Sequence, residues 1–357
     1  MAARSRDHSG SNGRVERVTI SDVARKAGVT KSTVSKYLNS SAGYYVAAET
    51  RELIEAAIRE LDFEPSVIAR GLTQHRTMTI GLVAADIRNP FYPDLVAGVQ
   101  EAVEPAGYTV VLGSTGSDPE RERAIVRSMI RRQVDGVIMC SARLQVAEIE
   151  SLMSSRTRLV LASRNLPTLV TDTVVVDNHA GAGLAVDHLA ELGHTRIAHI
   201  AGPQDVVPFQ DRLLGHRDAL ARHGLAAEDL IVVAAGSSTE AGGEAMSTLL
   251  DGSDPPTAVF VGNDNMALGA MDLVRNRGLS VPDDISIVGF DDIALASSSF
   301  ISLTTVDSMA GVIGRDAARL LLDRLAAGED VAQDDLREVV HQPALRVRGT
   351  TGAPPAG

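Results

Sequence analysis

VTISDVARKAGVTKSTVSKYL, Val18–Leu38, is the stretch from which the organisation of the chain is read. It divides into two short helices about a tight turn. The first runs from Ile20 to Ala27. Thr19 caps it, with Asp22 three residues on, the spacing of a capping box. Gly28 supplies a residue that takes a positive φ without steric cost just past the helix end. Thr30 caps a second helix from Lys31 to Leu38. Val23, Ala24, Ala27, Val29, Val34 and Leu38 form one small apolar face, which leaves Lys31, Ser32, Thr33, Ser35 and Lys36 facing outward. A helix–turn–helix of this kind places its second helix in the major groove of DNA. Hydroxyls and lysines on a short helix are a poor packing surface and a good one for bases and phosphates. The alternative reading is a helical hairpin with no role of its own.

Downstream, a third helix is expected over residues 48–61, where Leu53, Ile54, Ala57, Ile58 and Leu61 recur at helical spacing and close a three-helix head. Pro65 then stops the chain. Ser66 to Leu72 is a short segment too weak to be helical alone, and a polar linker comes after it. Upstream, residues 1–17 are charged and lack the apolar core of a secretory signal, so a disordered arm is expected.

The 357 residues suffice for two or three compact units. Aromatics are only 3% and Trp is absent, so Val, Leu, Ile and Ala must fill the core. Cys140 is the single cysteine, which excludes an internal disulfide framework and fits a reducing compartment. No run approaches the roughly 18 apolar residues of a membrane span. The net charge of −12 argues against nucleic acid when taken whole, but it is unevenly spread. Residues 1–40 hold eight Lys and Arg against three acids, a net of +5, leaving −17 on the rest. A basic end on an acidic body is the asymmetry of a small DNA-binding head on a larger, soluble body.

From Thr79 onward β-rich runs alternate with amphipathic helices. The runs are 80–84, 109–112, 136–139, 159–162, 173–176, 197–200, 230–234, 258–261 and 285–289. Alternation of this kind implies parallel sheets covered on both faces. Nine runs exceed one comfortable doubly wound unit, so two lobes are expected, with a ligand in the cleft beyond the strand ends. Polar residues collect at those ends: Asp86 and Asn89 with Phe91 and Tyr92; Arg164 and Asn165; Phe209, Gln210, Asp211 and Arg212; Asn263 and Asp264; Asp291 and Asp292. Carboxylates, amides and guanidinium groups together suit a polyhydroxylated ligand, whose hydroxyls donate to the first and accept from the others. Taken singly, each is equally a helix cap or turn residue.

In order along the chain, these segments resemble the LacI family of transcriptional regulators. VTISDVARKAGVTKSTVSKYLN (Val18–Asn39) resembles that family's head-piece, and PSVIARGL (Pro65–Leu72) its hinge. IGLVAADIRNPFY (Ile80–Tyr92), RRQVDGVIM (Arg131–Met139), VVVDNHAGAGLAVDHLAELGHTRIAHIAGP (Val174–Pro203), DRLLGHRDAL (Asp211–Leu220), GNDNMALGAM (Gly262–Met271), VPDDISIVGFDDI (Val281–Ile293) and LTTV (Leu303–Val306) resemble its periplasmic-binding-protein-like body. The implied fold is an all-α helix–turn–helix head plus an α/β body of two doubly wound parallel-sheet lobes. The implied divisions are an arm at 1–17, the head at 18–64, hinge helix and linker at 65–78, an effector-binding and dimerisation domain at 79–348, and a disordered tail at 349–357. Within the body, one lobe takes about 79–178 and 308–338 and the other about 179–307 and 339–348.

The resemblance implies base reading by Lys31, Ser32 and Lys36 and phosphate contacts from Thr19, Thr30, Thr33 and Asn39. Many relatives have Arg where Lys36 stands; Lys lacks the planar fork for bidentate contact with guanine. Leu72 falls on the hinge position that wedges into the minor groove. Asp86, Asn89, Phe91, Arg164, Arg212, Asn263 and Asp291 fall on effector-binding positions. The implied partners are double-stranded operator DNA, a small effector of carbohydrate type, and a second copy in a homodimer, working in the cytoplasm at the nucleoid with no cofactor or metal. Two departures stand out: GSSTEAGG around Ser238 lacks the aromatic common there, and Asp307-Ser308-Met309 stands where relatives often have Arg-Gln-Pro.

Rival readings are weaker. An enzyme has little support: Gly181-Ala182-Gly183 lacks the third glycine of a dinucleotide fingerprint, and no nucleophile elbow or P-loop is present. His179, His188, His194 and His199, at spacings of nine, six and five, match no standard metal-ligand pair. A periplasmic sugar carrier needs a signal peptide and no DNA-binding head. A constitutive DNA-binding protein with a vestigial cleft remains the alternative.

Overall fold

The computed structural model describes residues 18–39, 46–63, 76–141, 143–144, 146–153, 157–166, 171–225, 230–327 and 335–355. The proposed hinge, with Leu72, lies outside them, as does the side chain of Asn39. The chain forms two compact units, Met1–Thr77 and Met78–Gly357.

The first unit contains helices α1 (Ile20–Ala27), α2 (Lys31–Asn39) and α3 (Ala48–Glu60). The Asp22 carboxylate accepts from the Thr19 N–H at 3.0 Å and the Thr19 hydroxyl at 2.6 Å, which satisfies a donor at the first helix end and holds the carboxyl below its usual range. Gly28 adopts φ 68°, the left-handed conformation that ends α1 and turns the chain toward α2. Val23, Val34 and Ile54 are fully buried between the helices, with Ala24, Ala27, Ala57 and Phe63 around them. Leu53 departs from the expected core: it is 51% exposed, because its helical neighbour Ile54 takes the inward position.

The second unit contains two six-stranded sheets. Its strands are β1 (Thr79–Ala84), β2 (Thr109–Ser114), β3 (Gly136–Met139), β4 (Arg158–Ala162), β5 (Asp172–Val176), β6 (Ile197–Ala201), β7 (Ile231–Val233), β8 (Ala258–Val261), β9 (Ser286–Asp291), β10 (Thr304–Asp307), β11 (Glu338–His341) and β12 (Ala344–Arg346). Its helices are α4 (Phe91–Val103), α5 (Pro119–Arg131), α6 (Val146–Met153), α7 (Asn178–Glu191), α8 (Val207–Arg222), α9 (Thr239–Leu250), α10 (Asp264–Asn276) and α11 (Ala310–Ala327). The strand orders are β11-β5-β4-β3-β1-β2 and β12-β10-β9-β8-β6-β7. Every pairing is parallel except β10 with β12. In each sheet the order reverses at the strand next to one edge, β1 in one lobe and β6 in the other. Such switch points open a crevice beyond the strand ends.

The chain passes between lobes after β5, after β10 and after β11. The third passage corrects the expected lobe boundary: β11 pairs with β5 through Glu338–His341, so residues 339–341 belong to the first lobe. Only β12 and the segment after it return to the second. The tail is also corrected. Residues 349–355 are ordered against the second sheet, and Thr350 is 2% exposed. The Thr350 hydroxyl donates to the Ile287 carbonyl at 2.7 Å and accepts from the Thr304 N–H at 2.8 Å. His194 reaches the Gly352 carbonyl at 3.0 Å and the Ser286 hydroxyl at 3.1 Å. A Gly- and Pro-rich composition suggests disorder, but these backbone groups pair with a strand end that needs partners.

A buried pair ties the ends of the first lobe together. Arg324 on α11 donates to both carboxylate oxygens of Asp172 on β5, at 2.6 and 2.7 Å, and Asp172 also accepts from the Arg337 N–H at 2.8 Å. The carboxylate's charge is thus matched where water cannot reach it.

Candidate functional site

The cleft between the lobes is built on Arg212. Successive turns of α8 carry Phe209, Arg212 and His216 toward the second lobe's sheet, all three buried. Arg212 lies over the ring of Phe290, 3.6 Å from its centre. It donates to the Asn178 side-chain oxygen at 2.8 Å and to the Gly262 carbonyl at 2.5 Å. Gly181 makes room for this stack: a Cβ there would lie 2.7 Å from the Phe290 ring. The close packing at this glycine therefore supports the ring on which Arg212 lies. Burial lowers Arg212 to about 10, against the opposing pull of Asp291.

Asp291 ends β9 with φ 121°, a strained backbone for a residue with a side chain. Its carboxylate stands 3.7 Å from the Arg212 guanidinium, both side chains under a tenth exposed. Burial pushes it up to about 6 despite the neighbouring Arg212 and Arg164 charges. Beneath it lies Asp264, fully buried, accepting from the Thr305 hydroxyl at 2.5 Å and the Ile293 N–H at 2.9 Å. Burial, and then the Asp291 charge, push Asp264 up to about 7. Two buried carboxylates thus draw on the same buried cation.

Asn263 caps α10, its side-chain oxygen accepting from the Met266 N–H at 2.8 Å. Asn89 is similarly occupied, accepting from the Phe91 N–H at 3.0 Å. Both act as local caps while also facing the cleft. From the first lobe, Asp86 is engaged by Arg88 at 2.7 Å, and Phe91 packs edge-on against Tyr92. Arg164 comes after Ser163, which takes φ 57°, and donates to the Cys140 carbonyl at 3.3 Å.

Asp86, Asn89, Phe91, Arg164, Arg212, Asn263 and Asp291 line one cavity of about 510 Å³, its open mouth included. Ser117, Ser163, Ser237 and Pro208 line it as well, and the sequence patterns do not single them out. Ser163 directly follows β4 and could be found by the strand-end rule. Ser117 and Ser237 lie deeper in loops, with no periodicity to mark them. Asp264, read as a strand-end residue, turns away from the cavity into the sheet.

The two departures have local explanations. Ser238 caps α9, accepting from the Ala241 N–H at 3.3 Å. Asp307 accepts from the Met309 N–H at 2.8 Å and pairs with Arg346 at 2.8 Å, which fixes the passage from β10 to α11.

In the other unit, Lys31, Ser32 and Lys36 are exposed on α2. The Thr30 hydroxyl lies 2.8 Å from those of Ser32 and Thr33 and accepts from the Thr33 N–H at 3.2 Å. The first turn of α2 thus presents a cluster of hydroxyls beside a lysine, which is suited to phosphate and base edges. Among the described residues no helix is long and apolar enough to cross a membrane.

Comparison with known proteins agrees with this geometry. A profile of bacterial regulatory proteins of the lacI family matches residues 19–66, and one of periplasmic binding protein-like domains matches residues 186–351. The HTH-type transcriptional repressor CytR of Escherichia coli (strain K12) is 35% identical over 338 residues, 94% of this chain and 97% of that one. The lac repressor dimer bound to operator and the anti-inducer ONPF superposes with a TM-score of 0.82 at 28% identity, covering 95% of this chain and 100% of that one. The transcriptional regulator CelR in complex with cellobiose superposes with a TM-score of 0.70 at 31% identity, covering 94% and 100%. With a helix–turn–helix unit, two switch-point lobes about a polar cleft, and relatives matched along nearly its whole length, this chain belongs to the LacI family of bacterial transcriptional regulators.

Proposed function

We propose that the protein is a transcriptional repressor that binds a pseudo-palindromic operator as a homodimer and is switched by a small carbohydrate-type effector in the cleft. The observation that carries this reading is the convergence of seven polar and aromatic side chains from both lobes on one cavity, in a chain that also bears an exposed basic recognition helix. The named relatives include a repressor, an operator complex and a cellobiose complex, which supports the same assignment. In this reading Lys31, Ser32 and Lys36 read bases, Thr19, Thr30, Thr33 and Asn39 contact phosphates, and Leu72 enters the minor groove. The protein works in the cytoplasm at the nucleoid and carries no catalytic residues.

The chemistry of the cleft fits a ligand rich in hydroxyls. Asp291 accepts from ligand hydroxyls, Arg212 and Arg164 donate to them, and Phe91 and Phe209 offer apolar faces to sugar C–H groups. Closing the lobes on such a ligand alters the presentation of the heads. A tenfold change in operator occupancy requires a preference of about 1.4 kcal/mol for one state, and a near-complete switch about 5.5 kcal/mol. A thermal-shift screen of sugars and sugar phosphates identifies the effector, because a cleft ligand stabilises the body by mass action. Arg212→Ala and Asp291→Ala are expected to abolish the effector's influence on operator binding; retention of the full response refutes the cleft assignment. In binding-site selection, Lys31→Ala and Lys36→Ala are expected to change base preference. A uniform loss on all DNA would make them phosphate contacts.

A further inference from the structure

We propose that Arg143 and Asp205 form a clasp that holds the two lobes together, and that Glu122 is the residue that positions it. Arg143 comes shortly after β3 of the first lobe, and Asp205 shortly after β6 of the second. Their side chains form a salt bridge across the lobes. Beside the three covalent passages of the chain, this is a non-covalent connection between lobes.

Each partner is anchored within its own lobe. Glu122 on α5 is a fully buried carboxylate. Both its oxygens accept from the Arg143 N–H at 3.2 Å, and the Leu144 N–H also donates to it. A buried carboxylate receiving successive N–H groups of one loop fixes that loop's backbone, and so the starting point of the Arg143 side chain. In the second lobe, Gln204 donates to the Gly202 carbonyl at 2.8 Å and Gln210 donates to the Gln204 carbonyl at 2.5 Å, pinning the turn that carries Asp205. Neither side chain of the clasp lines the cavity, so its charges are not needed for ligand contact.

The clasp sets the resting separation of the lobes. It regulates the site proposed above and rests on that reading only for its consequence. Asp205 is 61% exposed, so the pair is weakened by salt and breaks easily. Its expected effect is correspondingly modest, about a two- to fivefold shift in the population of open lobes.

The test uses the full-length, ligand-free protein. Nitroxide labels at Ala124→Cys and Ala221→Cys, exposed positions on helices of opposite lobes, report the lobe separation by pulsed electron spin resonance. The native Cys140 is buried and stays unlabelled. Arg143→Glu and Asp205→Arg are each expected to increase the open population, and the charge-swapped double variant to restore it. Raising the salt to about 1 M, where the screening length falls to about 3 Å, should open the wild type and leave Arg143→Ala unchanged. Glu122→Gln should widen the distribution in the wild type and have no effect in an Arg143→Ala background, which separates positioning from general destabilisation. Unchanged distributions in both single variants, or no restoration in the swap, overturn the proposal. Because no effector or operator enters the measurement, its failure is distinct from a failure of the functional assignment.

Discussion

Replacing Asp264 by Asn removes a buried charge while keeping its hydrogen bonds. The carboxylate accepts from the Thr305 hydroxyl and the Ile293 N–H. An amide oxygen still accepts from Ile293, and its NH₂ donates to the Thr305 oxygen once that hydroxyl rotates. The substitution alters the cost of ionising a fully buried group beside Asp291. Asp264 is pushed from 3.8 to about 7. A carboxyl whose folded pKa lies above its unfolded one binds more protons in the folded state. Its contribution is therefore fully present below about pH 4 and is lost as the pH rises from there through about 7. At about 1.36 kcal/mol for each pH unit of that interval, the loss comes to about 4 kcal/mol by pH 8. Asp264→Asn is expected to match the wild type near pH 4 and to exceed it by about 4 kcal/mol at pH 8. Urea unfolding of the full chain, followed by circular dichroism at intervals from about pH 4 to 8, measures the difference. Parallel curves for the two proteins would overturn this account, since they would mean that Asp264 ionises in the fold at no cost.

Two other outcomes test the frame around the site. Arg324→Ala leaves Asp172 charged and buried, and is expected to cost about 3–5 kcal/mol in urea unfolding; a loss under about 1 kcal/mol would show that water reaches the carboxylate. Truncation after Arg348 removes the Thr350 contacts to Ile287 and Thr304 and is expected to cost about 3 kcal/mol, roughly one for each buried group left unpaired; an unchanged urea midpoint would mean that the tail is dispensable to the fold.

The features legible in the sequence are those produced by neighbours in the chain. The capping of α1 by Thr19 and Asp22, the positive φ at Gly28 and the cap by Thr30 depend on residues within a turn of each other, and each is readable without tertiary context. The nine β-rich runs correspond to strands because period and length are local properties. β10, mostly polar in Thr304–Asp307, falls outside these runs, and β11 and β12, at four and three residues with alternating exposed and half-buried positions, carry too little pattern to be read. The pairing partners of the last two, β5 and β10, lie far away in the chain. The order of the tail is hidden for the same reason: it comes from Ile287, Thr304, His194 and Ser286, none of them near it in sequence.

The cleft divides along the same line. That polar residues gather at strand ends is a consequence of the α/β alternation, so the candidate lining residues can be named from the sequence. Which of them bear charge on the cavity, and which turn inward, cannot. Asn263 and Asp264 are adjacent, yet one faces the cleft and the other is buried under β9 and β10. Composition and periodicity act over a few residues, and they suffice for a basic helix–turn–helix on an acidic two-lobed body with carboxylates, amides and arginines at the lobe edges. Only folding in three dimensions sets Arg212 against Phe290 with Asp291 and Asp264 nearby, and brings Arg143 to Asp205 across the lobes. Desolvation and Coulomb interactions depend on distance in space, and chain order does not specify that distance.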